Sequence, residues 1–191
     1  PAGLFANNTK CETFEQTFSK TKIKSIPADV FKGCSSVNSF MSCFNGCSEL
    51  ESIPADLFKN SGAQGVVYGK RGAGMNMIFQ GCSSLKEIPA GILDGFTRIT
   101  ALNSIFNGCS SLESIPSDLF KDAAAVTSFS NAFSGCTALK SIPAGVFKGL
   151  AKVTSFAGVF QGCTGITEIG DNLFEGCDAN KNISNLFKGC V

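Results

Sequence analysis

Ten cysteines and no histidine bound the chemistry open to this 191-residue chain. Thiolates are nucleophiles and metal ligands, but without imidazole the Cys-His and Ser-His-Asp nucleophile arrangements and every His-ligated metal site are excluded. Six cysteines, Cys47, Cys82, Cys109, Cys136, Cys163 and Cys190, each follow Phe-x-Gly, with Lys188 or another residue as x. The other four stand where similar phrases elsewhere in the chain carry apolar residues. Cys34 and Cys177 share a position with Phe96 and Leu150, Cys43 with Ile105 and Val159, and Cys11 with Val37 and Val126. The nearest approach to a ligand set is CFNGC at 43–47 with Cys34, which lacks the paired Cys-x-x-Cys spacing of a zinc ribbon. Side chains stacked in register on parallel coils about 4.8 Å apart keep their Cβ atoms beyond the ~3.8 Å usual in a disulfide. Cysteine used in this way is a small hydrophobe, and the spacing predicts ten free, buried thiols.

Other chemistry fares no better. The segment KNSGAQGVVYGKRGAG (59–74) contains GKRG, but the phosphate-loop pattern needs Gly where Gln64 stands and Ser or Thr where Arg71 stands. The same segment holds Tyr68, Lys70 and Arg71, residue types that anchor protein interfaces, so a partner-contact loop is one reading and a passive insertion the other. Sixteen basic and fifteen acidic residues give a net charge of +1 and no footprint for nucleic acid. No apolar run reaches the length of a membrane-spanning helix, and the start PAGLFANNTK lacks the features of a signal peptide. Isolated carboxylates recur at a fixed period, which is a structural pattern, so neither catalytic residues nor a cofactor are expected.

The fixed period is the main signal. Pro27, Pro54, Pro89, Pro116 and Pro143 are spaced by 27, 35, 27 and 27 residues, and Gly170 takes the next place after another 27. Pro1 fits with one residue missing, so about seven turns begin near 1, 27, 54, 89, 116, 143 and 170, the last incomplete. The eight extra residues between Pro54 and Pro89 fall within 59–74, an inserted loop. Of the 18 Phe, all but Phe96 lie in three columns: after the Ile-Pro (Phe120, Phe147), before the Gly-Cys (Phe106, Phe133, Phe160), and four residues earlier (Phe129, Phe156). Where Phe is absent from the last column the occupants are Met75, Leu102 and Ile183, as a buried ladder requires. Each half-turn reads as a short extended piece followed by one helical or 3₁₀ turn. The residue two places after the proline, Asp29, Asp56, Gly91, Asp118, Gly145 or Asn172, suits either a helix N-cap or a left-handed turn.

These columns predict one repeat domain over 1–191, an α/β solenoid: a leucine-rich-repeat-like, right-handed superhelix of short parallel strands and short helical or 3₁₀ turns. Neither end carries the polar cap expected of such an array, so a piece of a longer chain is expected. The phrases FNGCSSLESIPSDLF, FQGCSSLKEIP and FSGCTALKSIPAGVFKGL resemble the BspA-type leucine-rich repeats of bacterial cell-surface proteins, with a 27-residue turn in place of the family's shorter one. The resemblance implies a secreted or lipid-anchored protein on the outer surface, adhering to a protein or glycan of a host or neighbouring cell, with no catalytic residues. A spacer that holds another domain away from the envelope is the alternative. Polar strand positions, Glu51, Lys86, Glu87, Glu113, Lys140 and Glu168 on one line and Thr127, Ser128, Thr154 and Ser155 on the other, are candidate faces that default to solvation.

Overall fold

Backbone hydrogen bonds carry the repeat into three dimensions. The computed structural model describes residues 3–59, 61 and 74–190. In it the N–H groups of Leu102, Ser104, Phe106 and Gly108 donate to the carbonyls of Ser128, Ser130, Ala132 and Ser134 at 2.7 to 3.0 Å. One coil on, Phe129, Asn131, Phe133 and Gly135 donate in the same way to Ser155, Ala157, Val159 and Gln161. Every second N–H along these segments points up the stack, so main-chain groups that burial would otherwise leave unpaired are satisfied by the neighbouring coil.

The expected right-handed α/β solenoid of recurring strands and helical turns does not form. Among the described residues there is no helix, and strands are limited to β1, Ser141–Ile142, and β2, Glu168–Ile169. They pair in parallel, Ser141 opposite Glu168 and Ile142 opposite Ile169. Elsewhere coils meet at isolated parallel bridges such as Ala101–Ser128 and Ser128–Ser155.

Two features of the sequence explain the correction. The first is the proline that marks the period. Gly170 N–H donates to the Ile142 carbonyl at 2.8 Å, next to the β1–β2 pair, and in the preceding turns that place is held by Pro143, Pro116, Pro89 or Pro54, which have no N–H to give. The second is recurrent left-handed backbone. Gln16, Ser42, Met77, Ser104, Asn131, Gly158 and Asn185 hold φ between 55° and 62°, and the glycines of the Gly-Cys steps from Gly46 to Gly189 hold φ between 71° and 79°. A helix cannot continue through such residues, and the local bonds that survive are single turns: Ala132 N–H to Phe129, Cys136 to Phe133 and Leu139 to Cys136. The left-handed step rotates Asn131 and Gly135 N–H onto the stack axis, where the next coil accepts them.

Inside the stack the phenylalanine columns are continuous. Phe44, Phe79, Phe106, Phe133, Phe160 and Phe187 stack with centroids 5.6 to 5.7 Å apart and planes within 12° of parallel. A second ladder runs through Phe120, Phe147 and Phe174, meeting the third column edge-on at Phe129, 4.7 Å from Phe120. Such aromatic pairs add about 0.5–1.5 kcal/mol each beyond the apolar area they bury. The second ladder is interrupted once, where Leu93 stands in the Phe place and Phe96 meets Phe58 at 87° and 5.8 Å. Among the described residues no buried side-chain nitrogen or oxygen lacks a hydrogen-bond partner.

Candidate functional site

The thiols are built into the coil junctions. All ten cysteines are free; eight are buried, while Cys11 and Cys190 are half-buried, so the expectation of ten shielded groups holds for eight. Each thiol of the main column donates to the carbonyl of the Phe one coil below, Cys82 to Phe44, Cys109 to Phe79 and Cys136 to Phe106 at 3.2 Å, and Cys163 to Phe133 at 3.1 Å. Cys34 and Cys177 do the same to Phe5 and Phe147 at 3.1 Å. The same carbonyl already accepts a turn N–H, as Phe106 does from Cys109 at 3.1 Å, so the sulfur fills its second lone pair. Treating cysteine only as a hydrophobe missed this; the constant distance from Phe to the Cys one coil later was the available signal. Burial, the dominant cause, pushes the Cys82 and Cys163 thiols up to about 12 and holds those of Cys109 and Cys136 well above their ordinary range. A thiol that stays protonated is neither nucleophile nor metal ligand. Among the described residues no three His, Cys, Asp or Glu side chains group as a metal site.

The lateral lines of polar residues are partly committed to the fold. Thr127 and Thr154 hydroxyls donate to the carbonyls one coil below, Thr100 at 2.9 Å and Thr127 at 3.1 Å. Ser128 donates to Asn103 Oδ1 at 2.6 Å, and Ser155 shares a hydrogen bond with Ser130 at 3.0 Å. On the opposite line Glu113 and Lys140 lie 3.8 Å apart and well exposed, and Lys121–Asp94 and Lys148–Glu175, both 2.9 Å, bridge coils along a third edge. Exposed pairs of this kind contribute little stability and keep the surface solvated.

A cleft of about 250 Å³ opens between two coils, lined by Asp56, Phe58, Lys59, Ile92, Asp94 and Phe96. It lies where Leu93 interrupts the ring ladder. Tyr68, Lys70 and Arg71, the predicted contact residues, fall outside the described residues. Among the described residues no helix is long and apolar enough to cross a membrane.

Comparison with known proteins places these repeats. The family model for the BspA type leucine rich repeat region matches residues 3–72 and 75–180 in six copies, and the chain belongs to that family. It is accordingly a non-catalytic leucine-rich-repeat scaffold, and membership supports a protein-binding role in general terms. No curated protein matches the chain. Among solved structures it is similar to the leucine rich repeat protein of T. pallidum, at 20% identity over 83% of this chain and 72% of that one, TM-score 0.37. It is similar also to a chain of the Drosophila Toll–Spatzle complex (15%, 86% and 27%, TM-score 0.39) and to a leucine-rich repeat protein from Eubacterium ventriosum (20%, 82% and 43%, TM-score 0.35). The chain spans less than half the length of the last two.

Proposed function

We propose that this chain is a recognition module on the outside of a bacterial cell, holding a protein or glycan of a host or neighbouring cell along one side of its coil stack. Membership in the BspA type repeat family supports the reading, and the observation that carries it is the register of the stack. Thr127 and Thr154 N–H each donate at 2.8 Å to the threonine one coil below, so side chains on the lateral lines are offered at fixed intervals on a backbone that needs little further ordering to bind. Tyr68, Lys70 and Arg71 supply the anchor, because aromatic and guanidinium groups dominate interface hot spots.

The test is saturable binding of the purified chain to a panel of host surface proteins and glycans. Binding is expected, and the pair Tyr68→Ala and Arg71→Ala is expected to weaken it at least tenfold with an unchanged thermal midpoint. Unchanged binding after deletion of 61–68 would transfer the contact to the lateral lines. Absence of binding, with longer and shorter arrays supporting an appended domain equally well, would establish the spacer reading instead.

A further inference from the structure

Charge is missing from one wall of the stack. Across five consecutive coils, residues 40–47, 75–82, 102–109, 129–136 and 156–163 hold no Asp, Glu, Lys or Arg. These are the half-turns that run from the third Phe column to the Gly-Cys step. Charge enters the same stretch only in the coil below, at Glu15 and Lys20, and in the coil above, at Lys188. The other half of the coils carries it in quantity, as at Glu51, Lys86, Glu113 and Lys140.

Amides stand where charge is absent. Asn76 and Asn103 take equivalent places in successive coils, both half-buried. Asn76 Oδ1 accepts the Asn103 N–H at 2.8 Å, and Asn103 Oδ1 accepts the Ser130 N–H at 3.0 Å and the Ser128 hydroxyl at 2.6 Å. Each amide is held by its oxygen, while its NH₂ group meets no acceptor among the described residues. Four residues on in the same half-turns a second line runs up the stack. Asn45 Nδ2 donates to Gln80 Oε1 at 2.8 Å, and Gln80 Nε2 to Asn107 Oδ1 at 3.3 Å. The line ends at Asn107, whose own NH₂ group is again unmatched among the described residues. Beside these amides the half-buried Met41 and Met77 offer apolar surface.

We propose that this wall binds an uncharged polysaccharide lying along the stack, an inference that rests on the recognition role above and gives it a face and a ligand class. A neutral glycan has no charge to offset the desolvation of a carboxylate or ammonium, and the wall contains neither. Its hydroxyls both donate and accept, and amides with a fixed oxygen and a free NH₂ group meet them with little further ordering. The thioethers suit the C–H face of a sugar ring. Coils joined by parallel backbone bridges repeat about every 4.8 Å, near the length of one pyranose unit in an extended chain, so successive sugars meet successive coils. A protein interface is built round aromatic and arginine anchors, and this wall presents neither.

Surface plasmon resonance of the 191-residue chain on immobilised dextran, mannan and laminarin tests it, with heparin and polygalacturonate as charged probes. At least one neutral polymer should be bound, with an affinity that does not change as salt is raised to about 0.5 M, because no ion pair is there to be screened. Asn103→Asp keeps the oxygen that the Ser130 N–H needs and replaces the NH₂ donor by a charged oxygen; Asn107→Asp does the same in the second line. Each should keep the parent's thermal midpoint and bind the neutral polymer about fivefold more weakly, the loss of one hydrogen bond. The unsubstituted chain gives an independent reading: on titration with the bound polymer, the side-chain NH₂ resonances of Asn76, Asn103 and Asn107 should shift together. If members of the host-protein panel are bound and no neutral polymer is, the recognition role stands and this assignment of the wall falls; if nothing in either set is bound, both fall. Parent-like binding by both variants, unshifted asparagine resonances, or binding lost at high salt would also overturn the assignment.

Discussion

Cysteine occupies its column because it meets two demands that no other small side chain meets together. The site is dry, and the Phe carbonyl one coil below has a free lone pair. Alanine would leave a void and an emptier acceptor: Cys136→Ala should cost about 1–2 kcal/mol, measured by urea unfolding. Valine has the apolarity but not the donor and is larger at the branch, so Cys136→Val should cost about 1–3 kcal/mol by overpacking. The sign of the pH dependence follows from protonation. The folded chain holds Cys82 and Cys163 neutral up to about 12, above the ordinary thiol, so their contribution to stability is complete below the unfolded pKa of about 8.5 and disappears as pH rises from there towards 12. Alkaline unfolding followed by circular dichroism should therefore begin above pH 9, with no matching loss between pH 6 and 8. Titration with a thiol reagent at pH 7.5 should find the eight buried groups silent in the folded chain and all ten reactive in urea.

What makes the half-turns is a choice between extended and left-handed backbone, and that choice was only partly legible. Gly in the Gly-Cys step was readable as a tight turn, and its φ near 74° at Gly135 agrees; Gly135→Ala should cost about 1–2 kcal/mol from backbone strain alone. The matching left-handed column was hidden because its occupants, Gln16, Ser42, Met77, Ser104 and Asn131, share no composition, and the conformation is imposed by the N–H each gives to the coil above. The position two places after the proline divides by residue. Gly91, Gly145 and Asn172 are left-handed, while Asp29, Asp56 and Asp118 are not among the positive-φ residues, and Asp29 accepts the Gly3 N–H at 3.3 Å on its side chain. The proline itself marked the period while also removing the donor that a strand pair needs, which is why β1–β2 stands beside Gly170. Gly170→Pro should abolish that pairing. A Cβ there would also strike the Ala144 backbone, so the docking of the whole last coil should weaken, visible as lost amide protection at 167–169.

Across the whole molecule, stability is a sum over junctions, and the period made those junctions countable while leaving their strength unreadable. The Phe columns were legible because a ring is conserved in place by what it stacks on within the same chain; the interruption at Leu93 was legible only as a missing Phe, not as a cleft, because Phe96 moves in from the neighbouring column. A coil in the interior is held from both sides and a terminal coil from one, so local opening should be graded along the stack. The N–H groups of Phe129, Asn131, Phe133 and Gly135, each bonded to the next coil, should exchange with solvent slowest in native-state hydrogen exchange, and those of Ile183, Asn185, Phe187 and Gly189 fastest. Uniform protection at every coil in dilute solution would mean that the stack opens as one unit and that nearest-neighbour addition is the wrong description of it.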